Sequence, residues 1–170
     1  GDTGLANAKK MTELVANKLG LKAEEVLVQS TGIIGVQLDM KKIENGIEKV
    51  VENLSEDGGI DAATAIMTTD PFVKQICLEI EIAGKKAKVA GMCKGSGMIH
   101  PNMATMLSFT VTDVNIEKSL LQKMFSEIAD NTFNMISVDG DTSTNDMACV
   151  LANGLAGNEK IVDENSAGYE

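Results

Sequence analysis

The run from Gln75 to Ile82 alternates strictly, with Ile76, Leu78, Ile80 and Ile82 on one side and polar or small residues between them. Ala83-Gly84-Lys85-Lys86 follows, and Ala87 to Met92 returns as a second β-rich run. Alternation on both sides of a short Gly-containing turn predicts a hairpin, because the side-chain period of a strand is two and Gly supplies the turn's backbone. A hairpin with one apolar face must bury that face. The remaining pattern shows what covers it.

Helical periodicity surrounds the hairpin. Leu5 to Leu19 places Leu5, Ala8, Met11, Leu14, Val15 and Leu19 on one stripe, and Gly20 is a stop signal. Lys41 to Leu54 repeats the period through Ile43, Ile47, Val50, Val51 and Leu54, closed by Gly58-Gly59. A long amphipathic helix is expected over Ile116 to Phe133. Short β-rich runs are expected at Glu25 to Ser30, Met106 to Thr112 and Met147 to Ala152. Ile60 to Met67 reads as helix turning into strand, and the segment after Gly157 as polar and unpatterned. One-striped helices with strands and a hairpin predict an α/β fold, helices packed on a mixed sheet.

At 170 residues the expectation is one domain, which at this size buries roughly 70% of its unfolded surface. The formal charge is −10, and all fifteen basic residues are lysine. Without arginine there is no bidentate fork for phosphates or guanine edges, and the acidic total repels polyanions. Nucleic-acid partners are therefore not expected. No apolar run approaches the ~20 residues of a membrane span, so no membrane partner is expected either. Cys77, Cys93 and Cys149 show no CxxC pairing, and free thiols among apolar strand residues read as buried and unreactive. His100 lacks partners at ligand spacing, so no metal is expected. Free thiols fit a cytoplasmic location.

Chemistry concentrates in Lys94-Gly95-Ser96-Gly97-Met98-Ile99-His100-Pro101-Asn102-Met103-Ala104-Thr105, which runs directly into the strand beginning at Met106. A threonine hydroxyl needs a base to act as a nucleophile. Its own α-amine can serve if the chain is cut between Ala104 and Thr105. Ala104 leaves its carbonyl unshielded, and Gly95 and Gly97 permit unusual backbone. On residue types alone, a threonine opening a strand more simply favours β geometry. Asp139 to Asp146 places oxygen ligands at alternate positions, but Thr144 and Val150 stand where a calcium loop needs Gly and Glu. It reads instead as a polar turn. Thr31-Gly32 and Thr68-Thr69-Asp70-Pro71 read as turns for similar reasons.

Taken together, four separated motifs resemble one family. Lys94 through Leu107, Ser30 through Gly35, Met67 through Asp70, and Phe133 through Asp146 are similar to segments of the ornithine acetyltransferases, the bifunctional glutamate N-acetyltransferases of arginine biosynthesis. The resemblance spans nearly the whole chain and corresponds to the middle portion of a family member. It implies a layered αββα sandwich related to the N-terminal-nucleophile hydrolases, incomplete in this chain. Residues 1–104 would belong to an α subunit and 105–170 to the start of a β subunit, with two of each in the whole protein.

The same resemblance implies self-cleavage at Ala104-Thr105, after which Thr105 takes acetyl from N-acetylornithine and passes it to glutamate. Thr31 and Gly32 would form the oxyanion hole, and Thr68, Lys94 and Thr105 would contact substrate. No cofactor or metal is implied, with acetyl-CoA allowed as a co-substrate. The family's upstream strands and downstream binding residues are missing here, so the 170-residue chain alone is expected to lack appreciable transfer. Two alternatives stand beside this reading: a self-processing threonine aminopeptidase or amidohydrolase, and a non-catalytic folded fragment.

Overall fold

The computed structural model describes residues 2–100 and 106–169. The chain divides into two compact units, Gly1–Gly59 and Ile60–Glu170.

The first unit is helical. Helix α1 covers Asp2–Leu19 and ends as expected, with Gly20 at φ 69 and the Leu21 N–H donating to the Ala16 carbonyl. Helix α2, Met40–Glu52, starts where the Asp39 side chain accepts the Lys42 N–H, satisfying one of the orphan donors of a helix start. Val15 and Leu19 of α1 face Ile43, Ile47, Val50 and Val51 of α2 across an apolar cleft. Val15 and Leu19 of the first predicted stripe thus meet the second, while Leu5 is 62% exposed. A Lys18–Glu48 ion pair at 3.4 Å lies at the edge of this contact, where exposure leaves it worth little.

The β-rich run expected at Glu25 to Ser30 is corrected. Ala23–Glu25 is a single 3-10 turn, and among the described residues 26–30 join no strand ladder. Residues of strand propensity do not make a strand without a neighbour to complete the hydrogen bonds.

The second unit contains helix α3 (Gly59–Ala65, its first residue at the unit boundary), strands β1 (Lys74–Ile82), β2 (Lys85–Lys94) and β3 (Leu107–Thr112), helix α4 (Lys118–Asp130) and strand β4 (Met147–Ala152). The strand expected after the α3 helix is a bend instead. The sheet order is β1-β2-β3-β4, antiparallel except for the parallel β3–β4 pair. A parallel pair cannot be joined by a tight turn, and α4 lies in the connection. The sheet is mixed, as expected.

The predicted hairpin forms. Ile82 pairs with Lys85, leaving Ala83 (φ 48) and Gly84 (φ 76) as a two-residue turn with both positions left-handed. That backbone matches the twist of the flanking strands. Register then puts Ile80 and Ile82 on one face beside Ala87, where they pack with Val114, Leu120 and Met124. The opposite face carries Cys77, Val111 and Leu151, all exposed. Cys77 is thus not the buried thiol expected, because strand alternation sends it to the side away from α4.

The tail after Gly157 was expected to be unpatterned, yet it completes the core. Ile161 is 2% exposed and forms an isolated parallel bridge with Ile116. The buried Asn158 side chain accepts the Asn115 N–H at 2.9 Å and donates to the Asn115 and Glu159 carbonyls. Replacing Ile161 by Ala should cost about 2–4 kcal/mol by denaturant unfolding. Leu155→Ala, at a residue 80% exposed, should stay within about 0.5 kcal/mol.

Candidate active site

Strand β2 ends at Lys94, which is 3% exposed and sits opposite Leu107 in the ladder. From there the chain leaves the sheet. What holds the departing segment is a set of carboxylates aimed at its backbone N–H groups.

Asp70 holds the start. Its Oδ1 accepts the Gly95 N–H at 2.7 Å, and its Oδ2 accepts the Thr68 N–H at 3.2 Å. Lys74 donates to Oδ1 at 2.6 Å, and the Asp70 side chain is 1% exposed. A buried carboxylate is tolerated only when its lone pairs are occupied and its charge balanced. Both conditions hold here. Burial pushes the Asp70 carboxyl up, but the Gly95 N–H, the Lys74 ammonium and the Thr68 N–H outweigh it and bring the pKa down to about 2. One carboxylate thereby joins the residue after Lys94 to Thr68. Thr69 Oγ1 and Ser96 Oγ, 2.6 Å apart, add a second tie between the same segments.

Asp139 holds the middle. Its Oδ2 accepts the Met98 N–H at 2.6 Å, and its Oδ1 accepts the Ile99 N–H at 2.9 Å and the Asp141 N–H at 3.2 Å. Hydrogen bonds from Met98 and Ile99 keep its carboxyl below the usual range, against the opposing effect of burial. The Val138 N–H returns to the Ile99 carbonyl at 2.8 Å. Gly95 and Gly97 drew attention in the sequence, but the left-handed non-glycine residue here is Met98, at φ 57. That conformation costs an L-residue roughly 1–2 kcal/mol, and charge-assisted bonds to Asp139 are strong enough to offset it.

Asp146 holds the end. Its Oδ1 accepts the Met106 N–H at 2.7 Å, and the Met106 carbonyl accepts the Met147 N–H at 3.1 Å. The Asp139–Asp146 turn expected from the sequence is present. Its carboxylates point at backbone donors, and among the described residues no cluster of His, Cys, Asp and Glu could hold a metal.

Of the residues expected to act, Thr68 and Lys94 fall in the second unit, where Asp70 accepts the N–H of Thr68 and that of Gly95, the residue after Lys94. Thr31, half-buried, and Gly32, exposed, fall in the first unit just before a turn closed by the Val36 N–H on the Ile33 carbonyl. Ala104 and Thr105 lie outside the described residues. His100, exposed, has Nδ1 3.4 Å from Ser137 Oγ. Burial pushes the Cys93 thiol up, which disfavours the thiolate that reactive cysteines need. The sequence reading missed the roles of Asp70, Asp139 and Asp146. All three stood inside the quoted motifs, and the four buried or half-buried N–H groups of Gly95, Met98, Ile99 and Met106, each needing an acceptor, were the missing signal.

A loop tied at start, middle and end by acidic side chains is an expensive arrangement for a simple connection, and comparison with known proteins gives it a context. Residues 1–169 match the ArgJ family. The chain belongs to the ArgJ family. It is 54% identical over 164 residues to the arginine biosynthesis bifunctional protein ArgJ of Thermotoga neapolitana, covering 96% of this chain and 41% of that protein. It is 55% identical to the Lactococcus lactis protein of the same name, over 98% of this chain and 41% of that one. The crystal structure of the Bacillus halodurans ArgJ is similar at 39% identity and a TM-score of 0.54, covering 61% of this chain and 55% of that chain. The α/β fold expected from the motifs is therefore that of an ArgJ relative. The chain spans about 40% of the length of the curated ArgJ proteins it matches.

The folded pKa of Asp70 lies below the ordinary 3.8, so its stabilisation is present above that value and is lost as pH falls through about 2. Asp70→Asn should lose about 2 kcal/mol of unfolding free energy at neutral pH. The gap from the native chain should close between about pH 4 and pH 2, as read by denaturant unfolding across that range.

Proposed function

We infer that this chain carries the self-cleaving, acetyl-accepting centre of an enzyme that moves acetyl from N-acetylornithine to glutamate. The observation that carries the reading is the shared Asp70 carboxylate. It brings the backbone of Thr68 and of Gly95, the neighbour of Lys94, to one acceptor, at the root of the segment leading to Thr105. ArgJ membership supports the reaction class.

In this reading the Thr105 hydroxyl first attacks the Ala104 carbonyl carbon. The peptide bond breaks as an ester forms, the amine takes a proton, and water opens the ester to leave Ala104 as a carboxylate. The new α-amine of Thr105 titrates near ~8 in simple peptides, so a useful fraction is neutral and can take the hydroxyl proton. Attack on N-acetylornithine then forms acetyl-threonine and releases ornithine with the proton restored to its nitrogen. The glutamate amine attacks the ester and regenerates the hydroxyl. Each half-reaction passes through a tetrahedral oxyanion. A donor aimed at that oxygen is typically worth about 3–4 kcal/mol. The Thr31 hydroxyl and Gly32 N–H are assigned to that role, Gly32 presenting no side chain.

Lys94 and Thr68 are assigned to the substrates. A lysine ammonium is a compact point charge, suited to the carboxylate that N-acetylornithine and glutamate share. No cofactor enters this chemistry. Acetyl-CoA as a second acetyl donor belongs to the same proposal. Assembly of two α and two β chains belongs to the same proposal.

Full-length protein given acetyl-labelled N-acetylornithine without glutamate should retain label on the polypeptide that begins with Thr105. Adding glutamate should move the label to N-acetylglutamate. Thr105→Ala should neither cleave nor take up label. Lys94→Met should raise KM for both amino acids by about tenfold or more, the loss expected for one charge-assisted contact. Label released as free acetate, with none passed to glutamate, would point to an amidohydrolase instead.

A further inference from the structure

Thr68 and Lys94 lie far apart in the chain and are placed by different elements. Lys94 is the last residue of β2, where it pairs with Leu107. The ladder fixes the strand up to that point, and the next peptide leaves the sheet. Thr68 sits in a bend between α3 and β1. One carboxylate serves both. Asp70 Oδ1 accepts the Gly95 N–H at 2.7 Å, and Oδ2 accepts the Thr68 N–H at 3.2 Å. A peptide unit is planar and includes the Cα atoms on either side of it. Holding the Gly95 N–H therefore holds the plane that contains the Lys94 Cα, and holding the Thr68 N–H does the same for the Thr68 Cα. The carboxylate is itself fixed. Lys74 donates to Oδ1 at 2.6 Å, and its ammonium lies 4.9 Å from the centroid of the Phe72 ring, a distance at which cation and ring attract. Outside this enclosed pair, Thr69 Oγ1 and Ser96 Oγ stand 2.6 Å apart, joining the residues next to Thr68 and Gly95.

We propose that Asp70 is a positioning residue for substrate binding, setting the spacing between Thr68 and Lys94, with the Thr69–Ser96 hydroxyl pair as an outer clasp. The proposal deepens, and rests on, the assignment of Thr68 and Lys94 to the substrates. A substrate gripped by two groups is bound well only when both are in place at once, and about 1 Å of misplacement can cost about a hundredfold. N-acetylornithine and glutamate share a carboxylate, so a displaced Lys94 weakens donor and acceptor alike. Charge-assisted N–H bonds are roughly twice as strong as neutral ones, which makes a carboxylate a stiffer restraint than a neutral side chain. Lys74 belongs to the same device, because it balances the charge of the enclosed carboxylate.

KM separates positioning from stability. A partly unfolded variant lowers the amount of active enzyme, and with it the apparent kcat, while KM stays unchanged. Acetyl transfer by full-length protein is measured for the native chain, D70N, D70E, S96A, K94M and the D70N/K94M pair, with circular dichroism melting to establish that each is folded at the assay temperature. D70N must turn an NH2 group toward either the Thr68 or the Gly95 N–H. It is expected to raise KM for N-acetylornithine and for glutamate together, by at least about fivefold. D70E keeps the charge but displaces both oxygens by a methylene, and is expected to do no better than D70N. S96A, which loosens only the clasp, should raise both KM values about twofold or more. Groups that act through one another are not additive. In the K94M background, D70N should therefore add less than half the fold-change that it causes alone.

Folded D70N with native KM values overturns the proposal, as does D70E with native values. Full multiplication of the D70N and K94M effects also overturns it, since Asp70 would then act independently of Lys94. Should D70N not fold, S96A carries the test, and native KM values in S96A overturn the proposal. K94M with both KM values native removes the substrate assignment itself. K94M with raised values beside unaffected D70N and S96A removes only the positioning role.

Discussion

At the end of β2 the Asp70 carboxylate, almost fully enclosed, accepts N–H groups from both Thr68 and Gly95 while Lys74 balances its charge. The loop that leaves Lys94 owes its starting position to that contact. Removing a partner from such a group would strand a buried charge, and a stranded charge costs far more than the pair contributes. The position of the departing chain is therefore enforced by a penalty as much as by an attraction. Asp139 and Asp146 repeat the device, accepting the backbone N–H groups of Met98, Ile99, Asp141 and Met106. A carboxylate suits the task because two oxygens can serve several N–H groups at once. That is how Gly95, Met98, Ile99 and Met106 have their backbone donors satisfied.

The sheet supports this from below. Register in the β2–β3 ladder sets Lys94 opposite Leu107, so β2 ends and β3 begins at the same end of the two central strands. The parallel β3–β4 pair then brings Met147, and Asp146 before it, alongside residues 106 and 107. Helix α4 makes that parallel pairing sterically feasible, and its burial of Leu120 against Val114 and Ile161 contributes the apolar core beneath. The positions of the three aspartates thus follow from topology, and the topology follows from the apolar pattern.

Elements with strong periodicity were legible in the sequence. The hairpin, the three long helices α1, α2 and α4, and β4 at Met147–Ala152 all fall where alternation or helical spacing placed them. Each signal is local, carried by the residues that make the element. The misses share the opposite character. Residues 26–30 have strand propensity, but whether a strand forms depends on a neighbour the local pattern does not contain. Ile161 was lost in a polar tail because a single apolar residue has no period, and its burial depends on reaching Ile116. The motif around Thr105 pointed to family and chemistry, while the carboxylates holding it were invisible to spacing rules. An aspartate in a turn reads as a turn former, and only tertiary structure reveals which N–H it accepts.

Whether carboxylates hold this loop can be read directly by amide hydrogen exchange in the folded protein, resolved residue by residue. The account predicts that the Gly95, Met98, Ile99 and Met106 N–H groups, accepted by Asp70, Asp139 and Asp146, exchange slowly although they lie outside or at the edge of the strands. Each should lose protection selectively when its own aspartate is changed to alanine, the others remaining slow. Exchange of all four at the rate of an unstructured chain would contradict the account, and the carboxylates would then be ordinary turn residues.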